Sequence, residues 1–286
     1  MSKQAIQSER REKSNRGVAI GVSVILWLVC VTYIYPFVWM FYNSFKTEAA
    51  YRSNPYNVPW PLTIQAYQSI FNRHDVYLSF FNSLFNTVCA IIGVVILSFL
   101  VAYFLGRYRF RGRTFLYGFF LAGLFVPGLG LLIPTYIQFH TLGLIGHRYT
   151  LLLPYIAGGL PTAIYLFDSY IRTIPRSLEE AAHMDGATIT DIIRTIMFPM
   201  CLPMTATIVV INFLGYWNEF PLALLLQPTP QFRTMMVWLS MFQSMYEANL
   251  TGKLTAMFIL TLPVIITYFL FREHMMRGLA SGAIKG

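Results

Sequence analysis

The sequence predicts an all-α integral membrane protein of six transmembrane helices, with both termini in the cytoplasm and a polar helical loop between spans four and five. Three observations lead there. The 286 residues are 56% hydrophobic and only 12% charged, with a mean hydropathy of +0.55, far from the average makeup of a soluble domain. Apolar runs recur at or beyond the roughly 20 residues that a helix needs to cross a bilayer. The basic residues behind the net charge of +9 form short clusters beside those runs. There they orient the chain in the bilayer, and nucleic acid is excluded as a partner.

Residues 1–16 form a polar, basic tail, with Lys3, Arg10, Arg11, Lys13 and Arg16 against Glu9 and Glu12, and are expected to be a frayed cytoplasmic segment. The uncharged run from Gly17 to Phe45 is much longer than a signal-peptide core and stays as span one. Residues 46–75 are external and rich in turn signals, Asn54-Pro55 and Pro59-Trp60-Pro61, and no domain is assigned to them. Val76 to Gly106 holds span two, with Asn82 and Asn86 on one face at i and i+4. Arg107, Arg109, Arg111 and Arg113 then place four positive charges in a cytoplasmic turn.

Thr114 to about His140 is span three, in which Pro127, Gly128, Gly130 and Pro134 predict a kinked or broken helix. A short outer turn, His140 to Arg148, leads to span four, Tyr149 to about Tyr170, with interruptions expected at Pro154, Gly158, Gly159 and Pro161. Span five runs from about Met197 to Trp217, residues 221–253 return outside, and Leu254 to Phe271 is span six. The membrane domain is therefore 17–271, and 272–286 form a basic cytoplasmic tail. Fifteen Lys and Arg fall on the side of the termini against six on the other, an asymmetry that places the termini inside.

Between spans four and five lies Ser177–Pro199, SLEEAAHMDGATITDIIRTIMFP, written as two short helices joined at a glycine. Ser177 and Glu180 have the spacing of a capping box. Small Ala181 and Ala182 would let another protein surface approach closely. Gly186 suits a left-handed helix end, after which Thr188 and Asp191 can cap a second helix. Ile189, Ile192, Ile193 and Ile196 give that helix one apolar side, with Thr190, Asp191 and Arg194 opposite. The charge count puts this polar loop, 172–199, in the cytoplasm.

Glu180-Ala181-Ala182, Gly186, Ile196 and Pro199 occupy the positions of the EAA loop, E-A-A-x-x-x-G-x9-I-x-x-P, and on them the chain resembles the permeases of ABC importers. The leucine usual before the closing proline is Phe198 here. The resemblance implies that the loop is a coupling helix seated in a groove of a separate ATPase subunit. Pro59-Trp60-Pro61, Asn82-Ser83, the arginine turn, Trp217-Asn218-Glu219-Phe220 and the ending Gly282-Ala283-Ile284-Lys285-Gly286 extend it over nearly the whole chain after residue 17. They resemble carbohydrate-uptake permeases, on the side of the smaller permease of the maltose-type importer. This implies a multi-pass bacterial inner-membrane subunit that works with a second homologous permease, two ATPase subunits that hold ATP and Mg, and an extracytoplasmic solute-binding protein. The family pattern also implies that 220–253 reach the binding protein, and that the tail touches the ATPases at Lys285 and Gly286.

The chain shows no chemistry of its own. It has no G-x-x-x-x-G-K-[ST] phosphate loop. His74, His140, His147, His183 and His274 are scattered without metal spacing, and Cys30, Cys89 and Cys201 lie singly in apolar runs. No catalytic residue, metal site or cofactor is therefore assigned within it. Spans two to six hold almost no ionisable side chain, Asp168 and Glu219 lying near span ends, so a proton-coupled carrier would lack relays. A sugar path needs amides and aromatic faces, for which Asn82, Asn86, Asn212, Trp217 and Asn218 are candidates, with Glu219 at the outer mouth. Trp217 equally suits an interfacial belt, and the asparagines suit interhelical glue. Two alternatives stand beside sugar import: the same type of permease for a non-sugar solute, and a membrane scaffold that transports nothing.

Overall fold

The computed structural model describes the backbone of residues 3–245 and 249–283, and the side chains of 19–242 and 249–273. Among the described residues every regular element is helical. In chain order these are α1 (Lys3–Asn43), α2 (Glu48–Ser53), α3 (Gln65–Phe71), α4 (His74–Arg107), α5 (Arg113–Ala122), α6 (Leu132–Thr141), α7 (Leu152–Ile171) and α8 (Ser177–Met184). They continue as α9 (Ile189–Met200), α10 (Leu202–Trp217), α11 (Pro221–Leu226), α12 (Met235–Met245) and α13 (Leu250–Ala283). Three helices are long and apolar enough to cross a membrane, α4 and the stretches Ala19–Asn43 and Leu250–Glu273, and two bent pairs raise the number to five. The chain folds as two compact units, Met1–Ile70 with Tyr246–Ile259, and Phe71–Met245 with Leu260–Gly286.

In the first unit, α1 begins at Lys3, so the tail expected to be frayed is helical; its Gln, Glu, Arg and Lys residues are good helix formers. Ile20, Trp27, Tyr33 and Val38 are all exposed, an apolar surface that only lipid or another apolar surface can cover. Polar contacts begin where α1 ends. Lys46, 2% exposed, donates to the carbonyls of Asn54 (3.3 Å) and Pro55 (2.9 Å) and lies over the Tyr42 ring. Burial lowers its pKa. Glu48 accepts at Oε2 from the Thr251 N–H (3.0 Å) and hydroxyl (3.2 Å), and at Oε1 from Arg52 (2.8 Å). A carboxylate at a helix N-terminus is stabilised by the free N–H groups there. Burial would raise the Glu48 pKa, but the Thr251 and Leu250 amides, the Thr251 hydroxyl and Arg52 together hold it below the ordinary value of 4.5.

The second unit is built on the packing of α4 against α7. At Gly159 on α7 an added Cβ would lie 2.6 Å from Asn212 Oδ1 and 2.8 Å from Val94 Cγ2, and would also collide with the Tyr216 hydroxyl. At Gly106 on α4 it would lie 3.3 Å from Asp168 Oδ1. Small residues let helix backbones approach where lipid offers no hydrophobic drive to associate. Phe99 on α4 meets Phe167 on α7 edge-on at 5.5 Å, and Trp217 on α10 is 1% exposed, stacked on Phe213 and edge-on to Phe80.

The stretch read as span three breaks as expected: two 3₁₀ turns, Gly123–Phe125 and Gly128–Leu131, separate helices that meet at 94°. The stretch expected as span four does not break. Helix α7 runs through all four expected interruptions, Pro154, Gly158, Gly159 and Pro161. Pro154 falls in the first turn, where no intrahelical N–H bond is needed. Pro161 packs against Gly123 and Gly159 against Asn212 and Val94, and this lateral packing maintains the helix. A cleft of about 860 Å³ opens between the bent span three and α7, lined by Leu124, Val126, Gln138, Phe139 and Pro154 among others.

Two outcomes are expected. Gly159→Val should overpack the α7 contact and lower stability by about 1–3 kcal/mol, measured by thermal unfolding in detergent. The stability that Glu48 adds should be present in full above its ordinary pKa and be lost as pH falls through the depressed folded value. The gap in unfolding temperature between the parent and Glu48→Ala should therefore hold from neutral pH to about 4.5 and close below it.

Candidate functional site

The loop expected to dock another protein leaves α7 through a tight turn, in which the N–H groups of Thr173 and Ile174 bond back to the carbonyls of Tyr170 (2.9 Å) and Ile171 (3.1 Å). Arg176 is already helical, at φ −67° and ψ −26°, and α8 starts at Ser177 with no side-chain cap. The capping box expected between Ser177 and Glu180 is not formed. A cap needs an extended residue ahead of the helix, and Ser177 is one position inside it. The N–H groups of Glu179 and Glu180 bond to the Arg176 carbonyl instead, both at 3.0 Å.

The turn beyond α8 follows expectation. Gly186 has φ +84°, its N–H bonds to the His183 carbonyl (3.1 Å), and the Ala187 N–H bonds to the Ala182 carbonyl (3.0 Å). This is the paired bonding of a Schellman ending, which favours glycine because a Cβ is disfavoured in the left-handed region. Thr188 then caps α9, accepting the Asp191 N–H (3.3 Å) while the Asp191 carboxylate accepts the Thr188 N–H (3.0 Å).

Helix α9 departs from a regular helix in its middle. Ile192–Met197 form a π turn just ahead of Pro199, which has no N–H to offer the Thr195 carbonyl. Ile192 and Met197 are buried, Ile193 and Ile196 half-buried, and Ile189 is 46% exposed. At Cys201 the chain bends by 69° into α10.

Helix α8 presents two faces. Glu180, Ala181, His183 and Met184 point outward and are exposed, as are Gly186 and Pro199, while Ala182 and Ile196 are half-buried. The outward face is small, apolar at Met184 and acidic at Glu180, and it is open to a partner. Glu179 turns the other way. Its Oε1 lies 2.5 Å from Arg107 Nε, with the two side chains 15% and 7% exposed, and its Oε2 accepts from the Tyr103 hydroxyl at 2.9 Å. Arg107 also donates to the Ile174 carbonyl (2.9 Å). Leaving one charge of so desolvated a pair alone costs on the order of 3–5 kcal/mol. Sequence reasoning placed Arg107 only in a charge cluster and gave Glu179 no role. The signal available was the i, i+4, i+8 stripe Phe99, Tyr103, Arg107 along one side of α4.

The residues read as a solute path are mostly engaged with backbone groups. Asn82 donates to the carbonyls of Gln231 (2.9 Å) and Arg233 (3.2 Å), Asn86 to that of Asn82 (2.9 Å) and Asn212 to that of Ile208 (2.8 Å). Trp217 is not in an interfacial belt; its buried Nε1–H donates to the Leu260 carbonyl (3.1 Å). Glu219, half-buried, is held at the start of α11. Its carboxylate accepts from the N–H groups of Leu222 (2.7 Å) and Ala223 (2.9 Å), capping α11, and from the Tyr155 hydroxyl (3.1 Å). Asn218 alone of the six is exposed, its amide donating to the Leu214 carbonyl (2.9 Å). Asp168 pairs with Arg172 at 2.8 Å. Lys285 and Gly286 lie outside the described residues. Among the described residues no three His, Cys, Asp or Glu side chains converge on a metal-sized site.

Known proteins with this arrangement are transport components. Residues 95–281 match the family described as binding-protein-dependent transport system inner membrane component. The diacetylchitobiose uptake system permease protein NgcG of Streptomyces coelicolor is 30% identical, over 92% of this chain and 87% of its own. The trehalose/maltose transport system permease protein MalG of Thermococcus litoralis is 28% identical, over 97% and 99%. A solved bacterial ABC transporter involved in alginate import superposes with a TM-score of 0.80 at 24% identity, over 92% of this chain and 98% of that one, and shares the fold. With almost two thirds of its length matched to the family, and relatives aligned nearly end to end, the chain belongs to the inner membrane components of binding-protein-dependent transport systems.

Proposed function

We propose that the chain is the permease subunit of an ATP-driven importer that moves a sugar or oligosaccharide from an extracytoplasmic binding protein into the cytoplasm. It is a multi-pass protein of the bacterial plasma membrane, as its family and its apolar helices require. The observation that carries the reading is the outward face of α8, closed by the left-handed Gly186 and offering an exposed Glu180 and Ala181. Such a face suits a groove on a soluble protein with a basic residue opposite Glu180. A pair of ATPase subunits, holding ATP and Mg²⁺, supplies that groove and the energy. Carbohydrate as the solute is supported by the diacetylchitobiose and trehalose/maltose systems in which relatives serve.

The reading needs six crossings. The sixth is α7, whose 20 residues reach about 30 Å. Its Pro, Gly and Tyr content makes it less apolar than a lipid-facing helix, and it packs against α4 instead. Both termini and α8 then face the cytoplasm, in line with the excess of Lys and Arg on that side. A second, homologous permease completes the pathway, and Lys285 and Gly286 contact the ATPases. Asn218 is the one sequence-derived path residue whose side chain is open to solute in this conformation; the others hold helices and loops in place.

Reconstituted with its partner subunits in proteoliposomes, the parent should hydrolyse ATP faster when the binding protein is loaded from a panel of maltose, trehalose and diacetylchitobiose. Glu180→Ala should abolish uptake with the protein still in the membrane. Gly186→Val should do the same, since a β-branched residue at φ +84° costs about 1–2 kcal/mol of backbone strain. Normal uptake by both variants would remove the docking role.

A further inference from the structure

We infer that Glu179 is a positioning residue for energy coupling: through Arg107 it ties the docking helix α8 to α4, so that displacement of α8 is delivered to that helix. The inference rests on the docking role proposed above for the opposite face of α8. Two adjacent glutamates divide the work by direction. Glu180 is exposed, whereas the Glu179 carboxylate is spent inside the protein, on Arg107 at 2.5 Å and on the Tyr103 hydroxyl at 2.9 Å.

Arg107 grips the loop on both sides of its turn. One nitrogen meets the Glu179 carboxylate in the first turn of α8, and another holds the Ile174 carbonyl before it at 2.9 Å. The far arm of the loop meets the same helix, where Phe198 packs edge-on against Phe99 at 5.2 Å. Apolar contacts of that kind can slide. A desolvated charged contact with further hydrogen bonds on both partners has a defined geometry and does not. The polar link therefore fixes α8 to the end of α4 while the apolar contact accommodates motion.

Transmission can be read at the far end of α4 without knowing the solute. A cysteine at Tyr77, which is 46% exposed, is introduced with Cys30, Cys89 and Cys201 replaced by alanine. Its maleimide-labelling rate is measured in the complete complex, with and without a non-hydrolysable ATP analogue. In the parent the analogue should change the rate at least threefold. In Glu179→Gln the change should vanish while the ATPase subunits remain bound on co-purification, and the reversed pair Glu179→Arg with Arg107→Glu, which restores the charge contact but not the bond to the Ile174 carbonyl, should recover part of it. If Glu179→Gln lowers the amount of protein in the membrane, Tyr103→Phe takes its place and should reduce the change. A parent that does not respond, a Glu179→Gln or Tyr103→Phe complex that responds fully, or loss of the ATPase subunits from Glu179→Gln would overturn the inference. Glu180→Ala separates the two claims: if it keeps the ATPase subunits and responds fully, the docking reading fails whatever Glu179 does.

Discussion

The second unit depends on how closely α4 and α7 approach. Gly159 leaves no room for a side chain and Gly106 little, and that proximity sets the position of everything attached to either helix. It holds Asp168 beside Gly106 and lays Phe99 against Phe167. It also brings the end of α7 to the end of α4, where Arg107 can reach the Ile174 carbonyl. In a bilayer, helices gain little from hiding apolar surface from one another, so backbone approach and shared polar contacts decide which faces meet. The orientation of α8 follows, because its first turn is fastened to the same place.

What was legible in the sequence was what depends on a few neighbouring residues. The left-handed ending at Gly186 and the cap at Thr188 and Asp191 come from local backbone chemistry, and both are formed. The break in span three comes from Pro127, Gly128 and Gly130 within one turn, more than lateral packing can repair. The motif from Glu180 to Pro199 was legible as a spacing, and the family to which the chain belongs agrees with it.

What was not legible depends on partners distant in sequence. Pro161 looks like a helix breaker until Gly123 is seen packed against its ring. Ser177 looks like a cap until the helix is seen to start one residue earlier, at a backbone angle decided by the turn after α7. Glu219 and Trp217 read as a mouth and a belt, yet both are engaged inside the protein, one by the start of α11 and the Tyr155 hydroxyl, the other by the Leu260 carbonyl. The motif spacing picked out Glu180, but nothing local in the sequence gave its neighbour Glu179 a partner. That partner, Arg107, lies on a helix 72 residues earlier in the chain.

Near its other end α4 is also tethered. Asn82 holds the Gln231 and Arg233 carbonyls, and the Ser83 hydroxyl accepts the Met235 N–H at 2.7 Å. Asn82 and Arg107 are thus anchor points on one unbroken helix, about 37 Å apart at 1.5 Å per residue. A strut of that kind has a single tilt, so the loop held at Asn82 and the clamp at Arg107 move together. A change of tilt at either anchor is then carried along the helix as a lever, with no change in its internal hydrogen bonds.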